Sequence, residues 1–162
     1  MLAGAQALEA GSLLPQLSGE NLAGTPVVLP EEAKGKIAFL AITFSEKAGK
    51  SAQPWRERFA KDHRSQPNVT DYSAAMLGGA PSIFRGMIKR AIKKGVPPQS
   101  QNRFLIVTSD NETWKKQLNV TDDDLPYLLL IDATGRVIWK DQGVFDETKY
   151  QALKTKLAGQ AN

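Results

Sequence analysis

The stretch Gly35-Lys36-Ile37-Ala38-Phe39-Leu40-Ala41-Ile42-Thr43-Phe44 decides the fold class. From Ile37 onwards it is a continuous apolar run of strand length, rich in β-branched and aromatic residues. Such a run is typical of a central strand that is buried on both faces of a sheet. The polar residues 45–51 that follow are expected to form a loop. Pro54 then fits the first turn of a helix, where a proline gives up an amide N–H that has no partner.

Further strand and helix signals lie on both sides of this run. Residues 17–32 hold Val27-Val28-Leu29 between turn residues, which predicts an edge strand or hairpin. Strands are also predicted at residues 68–72, 104–107, 125–132 and 137–140, and helices at residues 82–94, 110–118 and 146–157. This order predicts an α/β domain over residues 17–158, a three-layer sandwich whose mixed central sheet is flanked by helices, with an extra N-terminal strand and an inserted helix. Residues 1–16 lack periodicity and are expected to be a flexible lead-in.

The composition excludes several kinds of chemistry. The 162 residues carry a net charge of +4 and include no cysteine and one histidine. Disulfides, thiolate nucleophiles and thiolate metal ligands are therefore excluded, and no cofactor or metal is expected. His63 cannot form a multi-histidine metal site and is expected to be exposed. Asp122-Asp123-Asp124 lacks the spacing of a calcium loop and indicates a solvated turn, whereas Trp114 and Trp139 are expected to be packing residues.

The predicted helix at residues 82–94 is strongly basic. Its cations are Arg85, Lys89, Arg90, Lys93 and Lys94, and no acidic residue occurs between Tyr72 and Ser109. Like charges four residues apart destabilise a helix, so this pattern favours a role in binding. The candidate partners are an anionic membrane surface and an acidic protein. The alternative is a solvated face on a helix that packs on the sheet through Phe84, Ile88 and Ile92. Nucleic acid is not expected, because no recognition motif accompanies the charges.

The order of elements, with a closing hairpin entered through a proline, resembles the thioredoxin superfamily. Residues 35–44 and the stretch Leu125-Pro126-Tyr127-Leu128-Leu129-Leu130-Ile131-Asp132-Ala133-Thr134-Gly135-Arg136-Val137 carry the match. The resemblance implies that Pro126 is the cis-proline of that fold and faces residues 45–51, where such proteins bind peptides. The implied partner-binding site consists of Pro126, Tyr127, Ser45, Glu46 and Lys47. Redox-active relatives hold a cysteine in this loop, and an unassisted serine hydroxyl cannot replace it. The resemblance thus predicts the fold without thiol redox activity.

A narrower resemblance, over about residues 17–157, is to the mitochondrial ATP synthase assembly-factor family. It rests on the order and spacing of Gly35-Lys36, Trp55, Phe59, residues 83–94 with Val96-Pro97, residues 104–107, residues 127–132, residues 136–139 and Gly143. Asp124-Leu125-Pro126 replaces the aromatic-glycine lead that the family has before its last strand. The resemblance implies a non-redox assembly factor or chaperone for a membrane complex, located at the mitochondrial inner membrane. Ala5-Gln6-Ala7 resembles the end of an export signal and offers the bacterial periplasm as the alternative location.

Two other functions stay open at the level of sequence. One is a relative of peroxiredoxins or thiol oxidoreductases that uses non-cysteine chemistry or has lost its activity. Peroxide consumption or insulin reduction by the purified chain would favour it. The other is a domain that only forms homo-oligomers through its edge strand. The sequence does not define the oligomeric state.

Overall fold

The computed structural model describes residues 7–160 and contains, within that range, seven strands and four α-helices. The strands are β1 (Leu17–Asn21), β2 (Pro26–Leu29), β3 (Ile37–Thr43), β4 (Val69–Met76), β5 (Phe104–Val107), β6 (Tyr127–Ile131) and β7 (Val137–Gln142). The α-helices are α1 (Glu46–His63), α2 (Ser82–Gly95), α3 (Asn111–Gln117) and α4 (Glu147–Gln160), and 3-10 helices occupy Glu31–Ala33 and Pro98–Arg103. The predicted order of strands and helices is confirmed.

The strands form one mixed sheet of order β2-β1-β5-β4-β3-β6-β7. β3 pairs in parallel with β4 and antiparallel with β6, and each of its residues is buried. The hairpin β1–β2 adds to the sheet by antiparallel pairing of β1 with β5, so of the predicted edge strand or hairpin the structure shows the hairpin. The apolar run that opened the sequence analysis is therefore a central strand, as predicted.

The two faces of the sheet bury separate apolar cores. On one face α1 and α4 pack over β3, where Phe39 stacks on Phe59 with ring centroids 4.9 Å apart. On the other face Trp114 of α3 packs against alternate residues of β3 and β4. Trp114 and Trp139 are both buried, which confirms their predicted role in packing.

Ion pairs and hydrogen bonds join α1 to α4. The Arg58 guanidinium donates to both carboxylate oxygens of Glu147, at 2.7 and 3.0 Å, and to Asp62 at 3.1 Å. The Tyr150 hydroxyl donates to Asp62 at 2.7 Å. The hydrogen bond from Tyr150, with help from Arg58 and Lys154, lowers the pKa of Asp62. These contacts fix the two helices on the same face of the sheet.

The start of α1 differs from the prediction. The helix begins at Glu46, because the Ser45 hydroxyl accepts a hydrogen bond from the Ala48 amide at 3.1 Å and caps it. Pro54 lies inside the helix, where it removes one backbone hydrogen bond. Burial of one face of α1, formed by Ala48, Ala52, Trp55, Phe59 and His63, compensates for that loss. Residues 45–51 are therefore the cap and first turns of a helix and not a loop.

The expected flexible lead-in is wrong for residues 8–16. Leu8 and Leu14 are buried in the core that contains Trp114. The Leu8 amide donates to the Gln117 carbonyl at 2.7 Å, and the Leu14 amide donates to the Gly135 carbonyl at 2.8 Å. Burial of the Leu8 and Leu14 side chains in this apolar core stabilises the packing of the segment on the domain. Residues 1–6, including Ala5-Gln6, lie outside the described residues.

The expectation that His63 is exposed is also wrong. Only 6% of the residue is accessible, and its ring centroid lies 4.6 Å from that of Phe59. The ring Nδ1 lies 3.3 Å from Gln66 Oε1, while Nε2 has no hydrogen-bond partner among the described residues. Burial disfavours the imidazolium and lowers the pKa of His63. The spacing of Trp55, Phe59 and His63, four residues apart, is the helical signal that could have placed it on the buried face.

Lowering the pH from about 7.5 to about 5 is expected to destabilise the protein partly through His63. Its folded pKa lies below the unfolded value of about 6.5, so the unfolded state binds the proton first as pH falls. The loss begins near pH 6.5 and has a slope of at most about 1.4 kcal/mol per pH unit. Burial and the charge of Lys154 lower this pKa, and together they outweigh the hydrogen bond with Gln66 and the charge of Asp62, which raise it.

Urea unfolding of the wild type and of His63→Gln across that pH range measures the effect. The free energy of unfolding of the variant should fall less steeply between about pH 6.5 and about pH 5, because the titrating imidazole is gone. Equal slopes for the two proteins would contradict the assignment.

Candidate functional site

The sheet register brings the two halves of the predicted partner-binding site to one edge. Ile42 pairs with Tyr127, so the end of β3 lies beside the start of β6. The Phe44 ring packs edge-on against Tyr127 with centroids 6.3 Å apart. Ser45 and Pro126 continue these two strands and therefore lie at the same edge of the sheet.

Ser45 serves as a helix cap at this edge. Its hydroxyl accepts from the Ala48 amide, and the next side chains, Glu46 and Lys47, are exposed. A serine nucleophile needs a neighbouring base. His63 lies at the other end of α1, roughly 27 Å away at 1.5 Å per residue. The Ser45 hydroxyl at the start of α1 thus has a structural role.

Pro126 and Tyr127 differ from what the resemblance implied. The cis peptide bond among residues 7–160 is Leu29–Pro30, and the bond before Pro126 is trans. The trans form is the intrinsically preferred one, and the approach to β6 is a turn in which the Leu125 amide donates to the Asp122 carbonyl. Both Pro126 and Tyr127 are buried.

The polar groups of Pro126 and Tyr127 already form hydrogen bonds within the domain. The Pro126 carbonyl accepts from the Gly143 amide at 3.0 Å. The Tyr127 hydroxyl accepts from the Thr121 and Asp122 amides and donates to the Asp122 carbonyl. The side chains that this edge presents to solvent are Glu46, Lys47 and the 59% exposed Val144, which follows Gly143 and was missed by the sequence analysis.

The helix α2 is the most exposed element of the described chain. It has no buried residue, and Ile83, Phe84 and Met87 are 83%, 48% and 56% exposed. Its half-buried side includes Ile88 and Ile92, and Ile92 contacts the small core formed by Leu22, Ala75 and Ile106. The expected packing of the helix on the sheet is wrong for Phe84, which is exposed, whereas Ile92 packs as expected.

The five cations of α2 have different roles. Arg85 donates to the Ala80 and Gly78 carbonyls, both at 3.2 Å, and Lys89 forms an ion pair with Glu20. Arg90, Lys93 and Lys94 have no ion pair within residues 7–160. Of Arg85, Lys89 and Lys93, which lie four residues apart along α2, the first two thus have partners within the domain. Glu20 is 69 residues from Lys89, so no local pattern indicates this ion pair.

The exposed apolar and cationic residues of α2 share one side of the helix. Ile83, Met87, Arg90 and Lys94 follow one another at helical spacings of four, three and four residues. Phe84 and Lys93 lie beside this stripe. We call these six residues the α2 face. The face is apolar over its first half and positively charged over its second half.

Metal-ligating clusters and membrane-spanning helices are two further features that bear on function. Within residues 7–160 there is no cluster of metal-ligating side chains, and no helix there is long and apolar enough to cross a membrane. Asp122, Asp123 and Asp124 are exposed in a turn.

A mixed sheet with this order, and a helix that begins beside the proline strand, define a thioredoxin-like domain that has no redox cysteine. A family model described as ATP10 protein matches residues 8–159. The chain belongs to the ATP10 protein family. A search of the curated proteins finds no match.

Solved structures similar to this chain include two oxidoreductase relatives. The thioredoxin domain of a thiol-disulfide oxidoreductase from Bacteroides vulgatus is 18% identical with a TM-score of 0.69, and the match covers 92% of this chain and 98% of that chain. A putative thiol:disulfide interchange protein DsbE from Chlorobium tepidum is 16% identical with a TM-score of 0.67, covering 96% and 100%.

An assembly protein is also among the similar structures. BsSco, a member of the Sco family of cytochrome c oxidase assembly proteins, is 12% identical with a TM-score of 0.64, covering 95% of this chain and 97% of that chain. At these identities the structures establish the thioredoxin-like fold, which confirms the predicted fold class.

Proposed function

We propose that this protein is a non-catalytic assembly factor that binds a protein partner while a membrane-embedded complex such as ATP synthase is put together. Membership of the ATP10 protein family supports this role. The absence of cysteine and the capping role of Ser45 argue against thiol chemistry at the position where the fold usually carries it. The proposed location is the inner-membrane side of a mitochondrion or, for an exported form, the bacterial periplasm.

The observation that carries the proposal is the α2 face. Apolar side chains exposed to this extent on one face of a helix commonly mark a surface that contacts a partner or lipid. Their combination with the cations Arg90, Lys93 and Lys94 matches a helix that lies in the interface of an anionic membrane. Ile83, Phe84 and Met87 would enter the acyl boundary while the cations remain at the headgroups. This contact would hold the domain beside the membrane-embedded partner.

Reversing the three unpaired charges of the α2 face is expected to abolish binding to anionic vesicles. Each cation near such a surface contributes about 1 kcal/mol, so Arg90→Glu, Lys93→Glu and Lys94→Glu together should weaken binding at least about a hundredfold. Co-sedimentation with vesicles of phosphatidylcholine, with and without cardiolipin, measures the binding. Wild-type binding should require cardiolipin and should decrease at high salt.

A matched variant separates the position of the charges from the net charge. Lys61, Lys116 and Lys156 are exposed on other helices and form no ion pair within residues 7–160. Their triple change to Glu alters the net charge equally and should leave more binding than the α2 variant. Equal losses in the two variants, or wild-type binding to neither vesicle, would contradict membrane docking and favour an acidic protein at the α2 face.

A further inference from the structure

A groove of about 740 Å³ lies on the α1 side of the sheet, away from the edge that holds Ser45. One wall is the second half of α1, and the other is the segment from Gly95 to Phe104 that leads into β5. Asp71 and Ser73 of β4 form the floor. We call this space the α1–β5 groove.

The floor of the groove is polar in a part of the sheet that is otherwise apolar. Asp71 is paired with Phe39 of β3, and Ser73 lies between Ala41 of β3 and Phe104 of β5. α1 covers Phe39 and Ala41, and Asp71 and Ser73 line the groove beside it. A carboxylate at this position is costly unless it has ionic partners, and burial raises its pKa despite two nearby arginines.

Two guanidinium groups share this single carboxylate. Arg103 Nε lies 3.4 Å from Asp71 Oδ1 and has no hydrogen bond of good geometry. From the opposite wall, the Arg56 guanidinium lies 5.7 Å from the centroid of the Phe104 ring. Arg56 has no hydrogen-bond acceptor within residues 7–160, and burial lowers its pKa. Glu57 is also a neighbouring charge of Arg56, but no carboxylate of residues 7–160 forms an ion pair with Arg56, so its N–H groups are available to a ligand.

The rest of the lining has the same excess of positive charge. The charged lining residues are Lys36, Arg56, Arg64 and Arg103 against Glu57 and Asp71. His63 also lines the groove and is the buried residue whose Nε2 lacks a partner. The apolar part of the lining, which includes Phe59, Val96 and Pro97, could receive aliphatic groups.

We propose that the α1–β5 groove binds a segment of a partner protein in which an Asp or Glu lies between aliphatic residues. The carboxylate is received by Arg56 and Arg103, whose planar guanidinium groups match it in geometry. A free phosphate could be received by the same guanidinium groups, but it carries no aliphatic groups to contact Val96, Pro97 and Phe104. The aliphatic neighbours of the acidic residue contact Val96, Pro97 and Phe104.

Nuclear magnetic resonance titration of the ¹⁵N-labelled protein with the peptide acetyl-Leu-Glu-Val-amide tests this site. We expect saturable shifts of the Ser73, Val96 and Arg103 amides and of the Arg56 side-chain N–H. The matched peptide acetyl-Leu-Gln-Val-amide should bind at least about tenfold more weakly, because a neutral amide replaces the charge-assisted hydrogen bonds. No saturable shift in the groove, or equal binding of both peptides, would overturn the proposal.

Variants and a second ligand sharpen the result. Arg56→Gln should weaken the Glu peptide about tenfold or more, whereas Arg90→Gln on the α2 face should leave its affinity unchanged. Because the comparison of the two peptides uses the wild type, it holds even where Arg56→Gln fails to fold. Inorganic phosphate that binds the same residues more tightly than the Glu peptide would overturn the assignment to a protein segment. Loss of vesicle binding by the α2 variant leaves this test unaffected.

Discussion

Replacing Trp55 with alanine is expected to lower the free energy of unfolding by about 3–5 kcal/mol, because it leaves a large cavity in the core. Trp55 is fully buried and has aromatic neighbours on several sides, namely Phe39, Trp139, Phe145 and Tyr150. Its indole Nε1 donates to the Gly143 carbonyl at 3.1 Å. One side chain thus joins α1 to the loop that follows β7.

Urea unfolding followed by circular dichroism measures this loss, and the melting temperature should fall by roughly 10 °C. Trp55→Phe is the control, since it keeps an aromatic ring and removes the hydrogen bond to Gly143. It should cost about 1–2 kcal/mol. A loss below about 1 kcal/mol for Trp55→Ala would show that the cluster does not depend on this residue.

The Gly143 loop also connects this core to the sheet edge that holds Ser45 and Pro126. The Gly143 amide donates to the Pro126 carbonyl, and the Gly143 carbonyl accepts from the Trp55 indole. The geometry beside Ser45 therefore depends on Trp55, a residue deep in the core. In Trp55→Ala we expect this edge to loosen together with the core. The sequence could indicate Trp55 as a packing residue but not this connection, because Gly143 is 88 residues away.

Much of the fold could be predicted because its strands and helices are encoded locally. The apolar run of β3 carries its own signal, and that strand is found where it was predicted. The turn residues in 17–32 predict an edge strand or hairpin, and this segment forms the hairpin of β1 and β2. The errors lie where a local signal was outweighed. A proline in a helix is favoured in the first turn, and this rule places the start of α1 at Pro54. The Ser45 cap and the buried face of α1 extend the helix upstream of Pro54.

The candidate sites depended on contacts that no local pattern encodes. The α2 helix was predicted from its periodicity, but periodicity assigns Phe84 to the same packed face as Ile92, and the structure leaves Phe84 exposed. The α1–β5 groove arises from residues of α1, β4 and the start of β5. Only the sheet register brings Asp71 opposite Phe39 and close to Arg103, so this charge cluster could not be read from the sequence.

The triple change Ile83→Ser, Phe84→Ser and Met87→Ser is expected to separate stability from binding. These side chains are exposed in the folded domain, so the free energy of unfolding should change by no more than about 0.5 kcal/mol per site. Burial of one large apolar side chain in an apolar medium contributes about 1.5–3 kcal/mol. Binding to cardiolipin-containing vesicles should therefore fall by at least about a hundredfold.

The control for this change is the pair Leu13→Ser and Val144→Ser, two exposed apolar residues outside α2. It should change neither unfolding nor vesicle binding. Unchanged vesicle binding by the triple variant would exclude its apolar residues from the membrane contact. A large loss of stability would show instead that α2 packs on the domain in solution.

The triple α2 variant can be compared directly with Trp55→Ala. Truncating a large apolar side chain lowers the free energy of unfolding strongly where the side chain is enclosed, and hardly at all where the α2 face meets solvent. Loss of vesicle binding by the triple α2 variant without loss of stability would therefore report an apolar contact with the membrane.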